Sequence, residues 1–263
     1  MAKTGPMDVP PERSELVVQV RSVVVAFGGL LALGGIDLDV AQGERLAIIG
    51  PNGAGKTTLF NVIAGEIRPT SGTVAIKGVD CTQLPSRHRP RLGVARTYQK
   101  ARTFDGLSVI DNIYLALAGH RRRHRVLWRS PVDRRMRAEA DRIAESVWLA
   151  DYRAALAGEL AHGQKRQLEL GMAVATEPDV LMLDEPASGL SRGERERLVE
   201  LLEALPDEVT VLLIEHDMDV AFRVAQRVVV MAEGIAVTAG PPGQIQRDPT
   251  VHEIYLGVGA RHE

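Results

Sequence analysis

Eight consecutive residues, Gly50-Pro51-Asn52-Gly53-Ala54-Gly55-Lys56-Thr57, place three glycines, a lysine and a hydroxyl at the spacing G-x-x-x-x-G-K-[ST]. Glycine backbone lets successive N–H groups turn inward around phosphate oxygens. Lys56 supplies a point charge for the β- and γ-phosphates. Thr57, followed by Thr58, offers a hydroxyl to Mg²⁺. The apolar run RLAII before the loop reads as a strand, and TTLFNVIAG after it reads as a helix. That is the context in which such a loop binds a nucleotide.

A second set of reactive groups lies far downstream. Val180-Leu181-Met182-Leu183 is an apolar run that ends in Asp184-Glu185. A buried strand delivers acids at its C-terminal end, where α/β folds bind ligands. Asp184 can hold Mg²⁺ through its water shell, and Glu185 can orient or deprotonate an attacking water. Taken alone, the pair also fits a strand that ends in solvated acids. Further on, LAHGQ at 160–164 precedes a helical run, KRQLELGMAVA. A helix start beside a glycine is a second place to hold an anion, because free N–H groups and the positive end of the dipole converge there.

These groups need a scaffold, and the rest of the chain describes one. Strand-like segments (LVVQVRSVVVAF and IDLDV, with GGLLALGG between them) open the sequence; TVAIKG and GVARTYQ follow the cradle. Between about 100 and 176 helical periodicity dominates, in SVIDNIYLALAG, RRMRAEADRIAESVWLA and QKRQLELGMAVAT. DVLMLDE, RGERERLVELLEAL, TVLLIEH, MDVAFRVAQ and RVVVMAEG then alternate strand and helix, which implies parallel β-α-β units. The expectation is an α/β core with an antiparallel β flank and an inserted helical subdomain. Residues 1–15, with three prolines and few apolar side chains, are expected to be a flexible tail ahead of one domain spanning 16–263.

Bulk properties exclude several classes. A net charge of −2 over 263 residues does not select nucleic acid or a membrane surface. Cys81 is the sole cysteine, so no internal disulfide exists. No run of 18 apolar residues occurs. Residues 119–137 contain eight arginines, read either as a surface for anionic lipid headgroups or nucleic acid, or as a solvated face balanced by nearby acids. His120 and His124 have i,i+4 spacing, but the surrounding arginines repel a divalent cation.

The cradle, GVARTYQ, LAHGQ, VLMLDEP and LLIEHD occur in the order that resembles ATP-binding cassette (ABC) ATPases. The resemblance covers nearly the whole chain beyond the tail. It implies a P-loop NTPase fold with a RecA-like parallel core, and ATP with Mg²⁺ as the bound species. It implies that Gln99 touches Mg²⁺ and senses a membrane partner. In the same pattern His216 contacts the γ-phosphate, and Phe27 stacks on adenine. LAHGQ is similar to the family signature LSGGQ. In that family, Leu160, Ala161, His162, Gly163 and Gln164 would serve the nucleotide of a second ABC ATPase subunit facing head to tail. Ser188-Gly189-Leu190-Ser191 is similar to the loop that links the two nucleotide sites.

Two positions depart from the pattern: Ala161 replaces a serine hydroxyl, and Ser191 stands where many cassettes have aspartate. A lost hydrogen bond to a charged group is worth about 1.5–3 kcal/mol, so the first departure predicts weaker closure of the site rather than its abolition. ARTYQKARTFDGLSVIDNIYLAL, the stretch from LAHGQ to ASGLS, and DPTVHEIYLG look like the branched-chain amino acid type. The implied protein is an importer's ATPase subunit at the cytoplasmic face of the membrane. Its expected partners are permease subunits and, indirectly, a substrate-binding protein, with no nucleic acid. Alternatives are the ATPase of a urea or short-amide importer, of a lipopolysaccharide-type exporter, or a soluble non-transport ABC ATPase.

Overall fold

The computed structural model describes residues 15–97, 102–121 and 130–257. Gln99, residues 122–129 of the arginine-rich stretch (His124 among them) and all but the last residue of the expected tail lie outside the described residues. In chain order the elements are β1 (Leu16–Phe27), β2 (Leu30–Ala41), β3 (Arg45–Ile49), α1 (Lys56–Ile63), β4 (Ser71–Ile76), β5 (Val79–Asp80), β6 (Val94–Arg96), α2 (Val109–His120), α3 (Pro131–Ser146), α4 (His162–Val174), β7 (Val180–Asp184), α5 (Arg192–Glu203), β8 (Thr210–Ile214), α6 (Met218–Val224), β9 (Arg227–Ala232), β10 (Ile235–Gly240), α7 (Pro242–Ile245) and α8 (Pro249–Gly257). The chain divides into two compact units, 1–92 with 207–263, and 93–206.

In the first unit, β3 pairs in parallel with both β8 and β9, and β10 closes antiparallel on β9. The β3 and β8 runs RLAII and TVLLI are almost wholly buried, as parallel strands covered on both faces require. β1, β2, β4 and β5 form a separate antiparallel sheet in the order β2-β1-β4-β5. The β1–β2 hairpin turns at Gly28-Gly29, where Phe27 pairs with Leu30 and Gly28 takes φ 58°. β2 therefore runs back through LLALGG, a segment that reads as a connection in sequence because its glycines mask the strand. α1 buries Leu59, Phe60, Val62 and Ile63. Its C-terminal end is closed by the buried Arg89, whose Nε donates to the Ile63 carbonyl at 2.7 Å, a cation at the negative end of the helix dipole.

The second unit holds the parallel pair β6–β7 and most of the long helices. α2 starts at an N-cap on Ser108, which accepts from the Asp111 N–H. α3 starts on Ser130 with Pro131 in its first turn, several residues ahead of the periodic run RRMRAEADRIAES. The parallel strands with their helices and the antiparallel sheet give the expected α/β class.

Candidate functional site

In the first unit, β3 ends at Ile49 and feeds the cradle, while its neighbours end alongside it: Ile48 pairs with Ile214 and Ile49 with Val230. The chain after Ile49 and the chain after Ile214 thus leave the sheet at the same, C-terminal edge. That edge carries Gly50–Thr58 and His216.

The cradle is closed by backbone that only glycine can supply. A Cβ on Gly50 (φ 149°) would lie 2.1 Å from the Met231 carbonyl oxygen. One on Gly55 (φ 97°) would lie 2.7 Å from the Ala32 carbonyl oxygen, so β2 braces the loop from the other side. The buried Lys56 donates from Nζ to the carbonyls of Gly50 (2.6 Å) and Pro51 (2.9 Å), and so lies folded back along the loop. Asn52, Gly53 and Thr57 are exposed, and Ala54 is buried. Phe27 is 49% exposed, next to the exposed Leu30 and Leu31 at the hairpin tip.

Two residues that sequence reasoning passed over shape this edge. The buried Glu215 accepts from the backbone N–H of His216 (3.0 Å) and Asp217 (3.2 Å), and so fixes the turn that presents His216. An acid at a strand end, directly before the histidine, is the signal that could have found it. Tyr255 on α8 packs against the cluster that contains Ala47, Ile49 and Val230. Its hydroxyl is buried without a well-formed hydrogen bond, beside the Gly50 backbone. Burial pushes this phenol up to about 12, against a smaller opposing pull from the Gly50 peptide.

In the second unit, Asp184 ends β7, and its Oδ2 accepts from Arg96 Nη2 at 2.8 Å. Its Oδ1 is buried and has no partner among the described residues. Burial raises the carboxyl pKa, while the Arg96 and Arg166 guanidinium groups pull it back down. Glu185 follows with φ 50°, in the left-handed region that costs a non-glycine residue about 1–2 kcal/mol. Backbone strain of this kind concentrates at functional positions.

α4 begins at His162, inside LAHGQ rather than after it. The N-cap is Ala161, which has no side-chain oxygen. Gln164 supplies the other half of a capping box, with Oε1 accepting from Ala161 N–H at 2.9 Å. Leu160 is buried, and Gly163 is packed so closely on α5 that a Cβ would meet the Glu194 Oε1 at 2.0 Å. His162 Nε2 lies 3.3 Å from the Ser188 carbonyl oxygen. Ser191 is the N-cap of α5; its N–H and Oγ both donate to Glu194 Oε2, at 2.8 and 2.6 Å. These bonds hold the Glu194 carboxyl below the usual carboxylate range.

Among the described residues no group of three or more His, Cys, Asp or Glu could hold a metal by itself. Each unit holds a hard oxygen donor of its own: the exposed Thr57 hydroxyl in the first, and Asp184 Oδ1, without a partner among the described residues, in the second. This fits Mg²⁺, which takes one or two protein oxygens and completes its shell with phosphates and water.

The ABC transporter family matches residues 33–188. The chain is 39% identical to the high-affinity branched-chain amino acid transport ATP-binding protein BraF of Pseudomonas aeruginosa, over 93% of this chain and 99% of that one. It is 38% identical, at the same coverage, to the high-affinity branched-chain amino acid transport ATP-binding protein LivG of Escherichia coli. Among solved structures, the ADP conformation of MJ1267, an ATP-binding cassette of an ABC transporter, aligns with a TM-score of 0.79 at 28% identity, covering 92% of this chain and 99% of that one.

Proposed function

The chain belongs to the ABC transporter family, and from that membership we propose that it is the ATP-hydrolysing subunit of an importer for branched-chain or other hydrophobic amino acids. The observation that carries the choice of cargo is its likeness to BraF and LivG along nearly their whole lengths. Among the described residues no helix is long and apolar enough to cross a membrane. In this reading, which rests on the likeness to ATP-binding proteins of transport systems, the chain works with permease partners as a peripheral subunit on the cytoplasmic face. Residues 16–263 form the ATPase domain, with 100–176 as its helical subdomain and the contact surface for the permease.

Each site residue has a task in this reading. Lys56 exchanges the Gly50 and Pro51 carbonyls for β- and γ-phosphate oxygens, while the Gly50–Thr58 backbone surrounds them. Phe27 offers its exposed ring to adenine. Thr57, Asp184 and Gln99 hold Mg²⁺, which when bound neutralises charge on the phosphates. Glu185 takes the proton of the attacking water, and His216, on the turn fixed by Glu215, contacts the γ-phosphate. Residues 160–164 present the N-terminus of α4 to the nucleotide of a second ABC ATPase subunit. Hydrolysis then requires two copies or a copy and a paralogue.

Glu185→Gln tests the chemistry: ATP binding persists and phosphate release falls by at least about 100-fold. Wild-type turnover by that variant would refute the role. The cargo is tested by reconstituting the chain in vesicles with the permease and binding-protein genes that adjoin its own. Leucine, isoleucine or valine should then drive both ATP hydrolysis and uptake. Stimulation by urea or short amides instead would replace the amino acid assignment.

A further inference from the structure

Arg96 has no task in that scheme, yet it grips the acid assigned to the metal. Its Nη2 donates to Asp184 Oδ2 at 2.8 Å, and the two side chains are only 7% and 3% exposed. The parallel register places the two side chains at the same end of the strand pair. Arg96 pairs with Met182, and the next residue, Thr97, donates its N–H to the Met182 carbonyl at 2.9 Å. The end of β6 is thereby locked beside the end of β7.

The pair belongs to a larger buried cluster. Arg166, on the helix that opens at LAHGQ, also acts on the Asp184 charge. Its Nη1 bonds Glu169 Oε2 at 3.1 Å, with those side chains 6% and 7% exposed. The two buried guanidinium groups balance the two buried carboxylates, while the half-buried Glu185 adds a further negative charge beside Asp184. Within this set the Asp184 carboxylate is asymmetric. Oδ2 is engaged by Arg96, and Oδ1 is buried with no partner among the described residues.

We propose that Arg96 is a positioning residue: it fixes the Asp184 carboxylate through Oδ2 and so keeps Oδ1 available to a divalent cation. This rests on the assignment of Asp184 to Mg²⁺. Partners that orient a ligating carboxylate typically affect metal affinity 10- to 100-fold without touching the ion. A lysine can retain the charge but not the planar fork of the guanidinium.

The test uses the full chain as wild type, Arg96→Lys, Arg96→Met, Asp184→Asn and the double variant Arg96→Met/Asp184→Asn. Mn²⁺ is titrated in the presence of a non-hydrolysable ATP analogue, and the free-Mn²⁺ signal is followed by EPR. Arg96→Met should weaken Mn²⁺ binding about tenfold or more, with Arg96→Lys between it and wild type. The double variant should bind no worse than Asp184→Asn alone, because Arg96 acts only through that carboxylate. In EDTA without nucleotide, Arg96→Met should melt about 5–10 °C lower, and the double variant should regain most of that loss.

Wild-type Mn²⁺ affinity in Arg96→Met, with Asp184→Asn impaired, overturns the positioning role and leaves Asp184 on the metal. Wild-type affinity in Asp184→Asn overturns the underlying assignment instead. Should Arg96→Met not fold, the comparison of the double variant with Asp184→Asn decides: weaker binding in the double variant overturns the proposal.

Discussion

The Lys56 ammonium sits 2.6 Å from the Gly50 carbonyl oxygen and 2.9 Å from that of Pro51, so the cation meant for phosphate is bonded to the loop that cradles it. A buried ammonium needs partners, and these two carbonyls are among them. Under the proposed function, nucleotide binding is an exchange of acceptors at this donor.

Lys56→Met should accordingly fold and lose ATP affinity by about 10- to 100-fold, the worth of a charge-assisted hydrogen bond. Equilibrium binding of a fluorescent ATP analogue measures it. Unchanged affinity would mean that the amine stays on the carbonyls in the bound state.

Glu185 holds φ 50°, and that conformation separates stability from activity. Glu185→Gly should be more stable than Glu185→Ala by about 1 kcal/mol, because only glycine adopts this backbone freely. Both should lack turnover. Denaturant melts of the two variants provide the comparison, and equal midpoints would show that the strain is relieved elsewhere.

Ala161 is an N-cap without a side-chain acceptor, although Gln164 already bonds its N–H. Ala161→Ser should complete the capping box and stabilise the protein by roughly 1 kcal/mol. It should also raise ATPase activity, by restoring a hydroxyl at the head of α4. A thermal melt and a phosphate-release assay on the same sample read the two effects independently.

Ser191 and Glu194 set an acid-side dependence. Glu194 has its pKa lowered in the fold by the Ser191 hydroxyl and N–H. A lowered carboxyl contributes stability that is present above its unfolded value, near 4.5, and is lost as pH falls through the folded value. Ser191→Ala should therefore be less stable at pH 7, and its gap to wild type should shrink as the pH drops below that range. Melts at pH 7 and at successively lower pH check the narrowing.

Tyr255 sets the opposite, alkaline dependence. Its phenol is raised from 10.0 to about 12 by burial, so the fold favours the neutral form. That stability is complete below pH 10 and is lost as pH rises toward 12. Tyr255→Phe should lose less stability than wild type across this interval. Parallel melting curves that do not diverge would show that the ring titrates as an exposed phenol.

Much of the candidate site was legible because its groups are local in sequence. The cradle is one uninterrupted loop, recognised by the spacing of its glycines, lysine and threonines. The acids at 184–185 and His216 sit at the ends of apolar runs that can only be buried strands. LAHGQ carried its own helix start, although the helix begins at His162, two residues sooner than periodicity alone suggested. The hairpin strand through LLALGG was obscured, because glycine reports backbone freedom and not the pairing partner that uses it.

The types of groups and the loops that carry them were thus determined by the chain's own order of residues, since backbone donors and strand ends need no distant partner to be recognised. Which neighbours those groups meet was decided only by the tertiary structure. Arg96 reaches Asp184 across 88 residues, and Tyr255 reaches Gly50 from the far end of the chain. Such contacts arise from strand register and helix packing, and their energy depends on burial, which excludes water from a charge or a hydroxyl only when separate segments close over it.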